Sequence, residues 1–243
     1  MMLHFARAAA VSGVPVCVYS LEMCVEQLTG RMLVGSSGVS SGEFRTGNVD
    51  ASGWTKIEKA GAKLSAMPVY LNDRANLTIG AIRSQCKAMR RRGRCGMVII
   101  DYLPNTPSRN PNNTREREVA AASRSAKLLA KELNIPVILL SQLSRKVEDR
   151  LDKRPLLSDL RESGAIEQDA DIVAFLDRPA MYGQTEIDAG RYGIIPAEGV
   201  GLLHISKNRE GEIGCICFRH NESLTRITDY ENTADAIGEA EPF

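Results

Sequence analysis

Short apolar runs alternate along this chain with amphipathic stretches of helical period, and polar turns separate the two. Leu3, Phe5, Ala6, Ala9 and Ala10 line one face of a helix over residues 2 to 12 that stops at Gly13. Val14 to Ser20 reads as a short buried strand. A helix over residues 22 to 34 follows, then a Gly/Ser loop from Gly35 to Gly42. A second long helix covers about 51 to 66 with Trp54, Ile57 and Leu64, and Val69 to Leu71 is a short strand. Thr78 caps a helix that runs through Ile82 to about Arg92. Gly93 and Gly96 then bracket the turn into residues 97 to 101, an unbroken apolar run ending in Asp101, as in a strand covered on both faces. A polar loop from Leu103 to Thr114 leads to a strong helix over 116 to 133, and Asn134-Ile135-Pro136 turns the chain into a strand from Val137 to Ser141.

Beyond Ser141 the pattern is more polar. A loop from Gln142 to Ser158 precedes a highly charged segment, Asp159 to Asp171, which runs into a strand over 171 to 176. Pro179 to Pro196 reads as a variable loop. Two final strands, 202 to 207 and 213 to 218, flank a turn at Asn208 to Gly214. This order predicts one α/β domain over residues 1 to 230. Its central sheet is mainly parallel and flanked by helices, with an antiparallel hairpin at the C-terminal edge. Residues 231 to 243, acidic and Gly/Ala-rich, are expected to form a flexible tail.

Composition narrows the partners rather than the fold. The 243 residues are 43% hydrophobic and 25% charged with a formal charge of +1, so no global field steers an anionic ligand. Any nucleic-acid contact must come from a local cluster. The six cysteines lack paired C-x-x-C spacing and read as reduced thiols. No apolar run approaches membrane-spanning length, so a cytoplasmic protein without a membrane partner is expected.

In an open parallel sheet, ligands bind beyond the carboxyl ends of the strands. Three strands here end at that edge in a chemically useful residue: Glu22, Asp101 and Gln142. An apolar strand closed by aspartate is the Walker-B arrangement, in which a hard Mg²⁺ ion takes carboxylate oxygen. Asp101 alone would equally be a turn or capping aspartate, and Glu22 a first-turn glutamate favoured by the helix dipole. Side by side they suit a metal ligand and a general base or water-orienting group. Gln142 fits either a satisfied strand end or a sensor of a terminal phosphate. The basic run Lys87, Arg90, Arg91, Arg92 and Arg94 crowds a helix C-terminus and reads as a solvated face. Cys215 and Cys217, with His204 and His220 nearby, read as core residues before metal ligands.

Several segments together resemble the C-terminal motor domain of DnaB-type replicative helicases. They are Ser20-Leu21-Glu22-Met23, Asp101-Tyr102-Leu103, Ser141-Gln142-Leu143-Ser144-Arg145, Asp152-Lys153-Arg154-Pro155, the whole of Asp159 to Asp171, and Lys207-Asn208-Arg209. The resemblance runs from about Met1 to Tyr230. It implies a RecA-like fold of the P-loop NTPase class, assembled as a hexameric ring that moves along single-stranded DNA by hydrolysing ATP with Mg²⁺. It also implies residue roles. Glu22 matches the catalytic glutamate, Asp101 the magnesium residue, and Gln142 the glutamine that couples phosphate state to the DNA loops. Lys207 and Arg209 match a basic pair that reaches the neighbouring subunit's nucleotide site. Arg161, Glu162 and Gly164 match a DNA-facing loop, where phosphate contact would be indifferent to base identity. A helicase loader is a further partner the family suggests.

Two departures qualify that expectation. No Gly-Lys dipeptide occurs in the sequence, so the G-x-x-x-x-G-K-[ST] phosphate loop is absent, and Pro104 stands where the family has glutamine. The loop's backbone N–H groups and lysine hold the β and γ phosphates, so the 243 residues alone are expected to hydrolyse ATP poorly. Two alternatives follow: a non-catalytic ring subunit or modulator that co-assembles with a full-length helicase, and a RecA-like recombination or repair ATPase.

Overall fold

The computed structural model describes residues 1–75, 77–101, 115–150, 152–160, 164–223 and 225–230. The chain divides into two compact units, Met1–Ser144 with Ser158–Ala170, and Arg145–Leu157 with Asp171–Phe243. The expected tail over 231 to 243 and the expected loop over 103 to 114 lie outside the described residues.

The first unit is built from strands β1 (Val16–Ser20), β2 (Val69–Asn72), β3 (Met97–Asp101) and β4 (Val137–Leu140). Its helices are α1 (Met2–Val11), α2 (Val25–Ser37), α3 (Ser41–Thr46), α4 (Ala51–Ala66), α5 (Ile79–Arg91), α6 (Arg115–Leu133) and α7 (Gly164–Asp169). The strands form one all-parallel sheet in the order β2-β1-β3-β4. Because both faces are covered, β1 and β3 carry apolar side chains at nearly every position. On one face Val16, Val18 and Ile99 pack with Ala6 of α1. On the other, Cys17, Tyr19, Val98 and Ile100 meet Ile82 and Cys86 of α5 and Leu129 of α6. Each of these aliphatic side chains contributes about 1.5–3 kcal/mol by leaving water.

Helix ends follow local chemistry where the sequence offers a cap. The Thr78 side chain accepts from Ala81 N–H, and Asp50 accepts from Gly53 N–H at 2.6 Å. The stretch from Gly35 to Gly42, expected as a loop, is not one throughout. α2 continues to Ser37 and stops at Gly38, whose φ of 74° is the left-handed conformation a C-cap favours. Ser40 and Glu43 then form a capping box that starts α3.

The second unit holds β5 (Ile172–Asp177), β6 (Glu186–Asp188), β7 (Ile194–Pro196), β8 (Val200–Asn208), β9 (Gly214–His220) and β10 (Ile227–Asp229). Its main sheet, in the order β10-β9-β8-β5, is antiparallel throughout. The expected hairpin is therefore the middle of a separate sheet. The segment Pro179 to Pro196, expected as a loop, contains the small antiparallel pair β6–β7. Ile187, Ala189, Ile195 and Tyr230 cover Val200, Leu202 and Cys217 to form this unit's core. At Gly201 the ring of Phe218 occupies the side-chain position, 2.3 Å from where a Cβ would stand, so any larger residue would have to displace that ring.

All six cysteines are free thiols. Among the described residues no group of three or more His, Cys, Asp and Glu could hold a metal ion, so Cys215 and Cys217 with the two histidines form no such site. Among those residues no helix is long and apolar enough to cross a membrane.

Candidate functional site

The carboxyl edge of the parallel sheet is assembled by strand register. β1 and β3 pair so that Ser20 stands directly beside Asp101, and Asp101 stands beside Leu140 of β4. Two polar strand ends thus meet at adjacent positions, and the chain that leaves β4 passes the same edge.

Ser20, only 1% exposed, is the residue whose role sequence reasoning missed. Its hydroxyl stands beside the Asp101 carboxyl and favours the charged form of that group. It also accepts from Met23 N–H at 3.1 Å, while Leu21 N–H donates to the Asp101 carbonyl at 3.3 Å. These bonds fold the turn that carries Glu22 back over β3. The signal available in the sequence was a serine closing an otherwise apolar strand.

Glu22 is exposed in a bend, three residues before α2 begins at Val25. It is therefore not a first-turn glutamate. The first N–H of α2 is taken instead by Asp73, whose Oδ2 accepts from Val25 N–H at 2.8 Å. Freed from a capping task, Glu22 acts electrostatically on Asp101. Burial first, and the charge of Glu22 second, push the Asp101 carboxyl above its ordinary value of 3.8, and the Ser20 hydroxyl opposes them.

A half-buried carboxylate with a second carboxylate beside it carries a surplus of negative charge, which a cation relieves. Hard oxygen donors of this kind are what Mg²⁺ takes, and Asp101 would be the residue to hold it. The donor set therefore fits the ion.

Gln142 lies two residues beyond the end of β4 and is exposed. Immediately after it, Leu143 bridges Leu160, and Ser144 N–H donates to the Asp159 carbonyl at 2.8 Å. Asp159 and Leu160 open the charged segment and are themselves buried. The strand end bearing Gln142 is thus stitched to the start of that segment. Arg161 and Glu162 lie outside the described residues. Gly164 is exposed and opens α7, which packs on α6 and buries Ile166, so from Gly164 onward the segment is helical rather than a loop.

Lys207 and Arg209 belong to the second unit. The β5–β8 register shifts between Val173 and Ala174: Ala174 pairs with Ile205 but Val173 pairs with Lys207, leaving Ser206 as the extra residue of a bulge. Val173 shares a face with Phe175, which pairs with His204. The bulge therefore turns Lys207 onto the face of His204 instead of that of Ile205, and Arg209 follows it. Arg209 is then held at the strand end twice. Its N–H donates to the Asp171 carbonyl at 3.0 Å, and its guanidinium lies 3.7 Å from the Asp171 carboxylate.

Comparison with known proteins places the fold. The DnaB-like helicase C-terminal domain family matches residues 1–229. The replicative DNA helicase DnaC of Bacillus subtilis is 38% identical over 224 residues, which cover 92% of this chain and 47% of that protein. The replicative DNA helicase DnaB of Geobacillus stearothermophilus is 39% identical over 221 residues, covering 90% of this chain and 47% of that one. This chain thus spans about half the length of these curated relatives. Among solved structures, a DnaB-like replicative helicase described with its interactions with primase superposes with a TM-score of 0.84 at 31% identity, covering 93% of this chain and 54% of that one. The RadB recombinase, at 15% identity and a TM-score of 0.52, covers 94% of this chain and 84% of its own and shares the fold alone. With a RecA-like sheet, a serine and an aspartate paired at its carboxyl edge and a family match over nearly its whole length, the chain belongs to the DnaB-like helicase C-terminal domain family.

Proposed function

We propose that this chain is the motor part of a replicative DNA helicase, coupling ATP hydrolysis to movement on single-stranded DNA and to duplex unwinding. The observation that carries the reading is the pairing of Ser20 with Asp101 at the sheet edge with Glu22 folded over them. Residues 1 to 230 act as the motor domain and 231 to 243 as a tail. The working form is a ring, either a homo-hexamer or a co-assembly with a full-length helicase, and a loader is a further partner. The protein acts in the cytoplasm.

The division of labour follows from the residues. Asp101 holds Mg²⁺, with the Ser20 hydroxyl beside its carboxylate. The bound ion supplies positive charge against the phosphate oxygens of ATP. Glu22, exposed and unencumbered by capping, accepts a proton from or orients the attacking water. Gln142 senses the terminal phosphate and, through the Leu143–Leu160 and Ser144–Asp159 contacts, passes its position to the charged segment. Arg161, Glu162 and Gly164 face the DNA, and Lys207 and Arg209 serve a neighbouring subunit's nucleotide site.

The test is to add the phosphate-loop segment of a DnaB-type relative to the N-terminus and measure ATP turnover with and without single-stranded DNA. DNA-stimulated turnover is expected, and Glu22→Gln should reduce it by roughly a hundredfold or more while nucleotide binding persists. No turnover, together with stable incorporation into rings of a complete helicase, would instead mark a non-catalytic ring subunit. A second variant probes the basic strand end. Both partners of the Asp171–Arg209 pair are about half exposed, so Asp171→Asn should change stability by no more than about 1 kcal/mol. Its turnover in rings should fall by at most about fivefold, whereas Arg209→Ala should fall much further.

A further inference from the structure

The end of the parallel sheet opposite Asp101 carries a charge pattern that the nucleotide chemistry does not use. From Ile79 to Ile100 the chain has six cations, Arg83, Lys87, Arg90, Arg91, Arg92 and Arg94, and no carboxylate. The first two share one carboxylate of α6. Arg83 Nε lies 2.7 Å from Glu132 Oε2 and Lys87 pairs with the other oxygen, and together they hold the Glu132 carboxyl below its ordinary value.

The remaining four are exposed at and beyond the C-terminus of α5. Arg90 donates to the Cys95 carbonyl at 3.1 Å. Arg91, Arg92 and Arg94 form no ion pair among the described residues. Attraction to the helix dipole accounts for a cation or two in a last turn, worth about 0.3–1 kcal/mol each. It does not account for four arginines within five positions, three of them with no ion pair among the described residues.

The turn that presents them is also fixed. Gly93 adopts a left-handed φ of 68°, its N–H donates to the Arg90 carbonyl, and Arg94 N–H donates to the Met89 carbonyl at 2.9 Å. Arg94 stands three residues before β3, at the far end of the strand from Asp101.

We infer that this turn is a second nucleic-acid contact, a phosphate-binding surface indifferent to sequence, separate from the segment around Gly164 and independent of the nucleotide-site reading. Arginine dominates the cluster, and its planar fork matches phosphate oxygens. None of the exposed large hydrophobic side chains falls between residues 79 and 100, so this segment itself brings no apolar anchor of the kind a protein partner needs. It has no aromatic ring on which bases could stack either, so the contact is to backbone, in duplex or single strand alike.

The experiment titrates the 243-residue chain against a short fluorescent oligonucleotide, as single strand and as duplex, over a series of salt concentrations. Replacing Arg91, Arg92 and Arg94 together by Gln should weaken binding at low salt by about tenfold or more and reduce the slope of log affinity against log salt by roughly 2–3. Replacement by Lys should retain most of both, because a phosphate contact reads charge. Unchanged circular dichroism would show that the Gln variant folds. Equal affinity and slope for the native chain and the Gln variant would overturn the inference. So would a polyglutamate peptide that binds the native chain more tightly than either DNA and loses binding in the Gln variant.

Discussion

Asp101→Asn, in the chain supplied with a phosphate loop, is expected to lower magnesium-dependent ATP turnover by roughly a hundredfold or more. It should at the same time make the fold more stable near neutral pH. In the native chain, burial and the neighbouring Glu22 raise the Asp101 carboxyl above its ordinary value of 3.8. A carboxyl whose pKa rises on folding favours the folded state in its protonated form. That contribution is complete below the ordinary value and is lost as pH climbs through the raised one. The amide cannot ionise and escapes the loss. The variant's gain in Tm should therefore be absent in acid below the ordinary carboxylate range and grow toward neutrality. Added Mg²⁺ should raise the Tm of the native chain and leave that of the variant unmoved. A variant less stable than the native chain at neutral pH would contradict the raised carboxyl, and one equally stabilised by Mg²⁺ would remove Asp101 as the cation ligand.

Ile99→Ala is expected to be among the most damaging single changes to stability. Ile99 is fully buried on the central strand β3, beside Val18 in register and against Val16 and Ala6. Truncation there leaves a cavity that a close-packed parallel sheet cannot close, at a cost of about 2–5 kcal/mol. For a chain of this size the Tm should fall by roughly 5–15 °C. The same truncation at Ile194, which is 74% exposed, should stay within about 0.5 kcal/mol. Urea unfolding of both variants makes the comparison, and similar losses would mean the core is not where the sheet places it.

What could be read from the sequence is what local pattern decides. Strands β1 and β3 stand out because burial on both faces makes them continuously apolar, and Asp101 stands out because it ends such a run. Thr78 announced its helix because the cap is a local hydrogen bond. The parts that escaped are set by distant groups or by very short elements. Glu22 sits outside α2 because Asp73, 48 residues away, caps that helix. Strand direction is not encoded in a strand's own residues, so the separate antiparallel sheet was not legible. The pair β6–β7 has strands of three residues each, too short to show alternation. Helix α3 carried its signature in Ser40 and Glu43, but the Gly/Ser composition around it suggested a loop. Ser20 belongs to a legible motif, yet its place beside Asp101 depends on the β1–β3 register.

One extra residue in β8 carries a consequence for how this family can vary. With Ser206 present, Lys207 and Arg209 emerge on one side of the ribbon; without it, the same two side chains would emerge on the other. Substitutions along this strand can be absorbed gradually, but an insertion or deletion between Ile205 and Lys207 acts all at once. The length of this segment, more than its composition, therefore sets which side of the ribbon the two cations occupy.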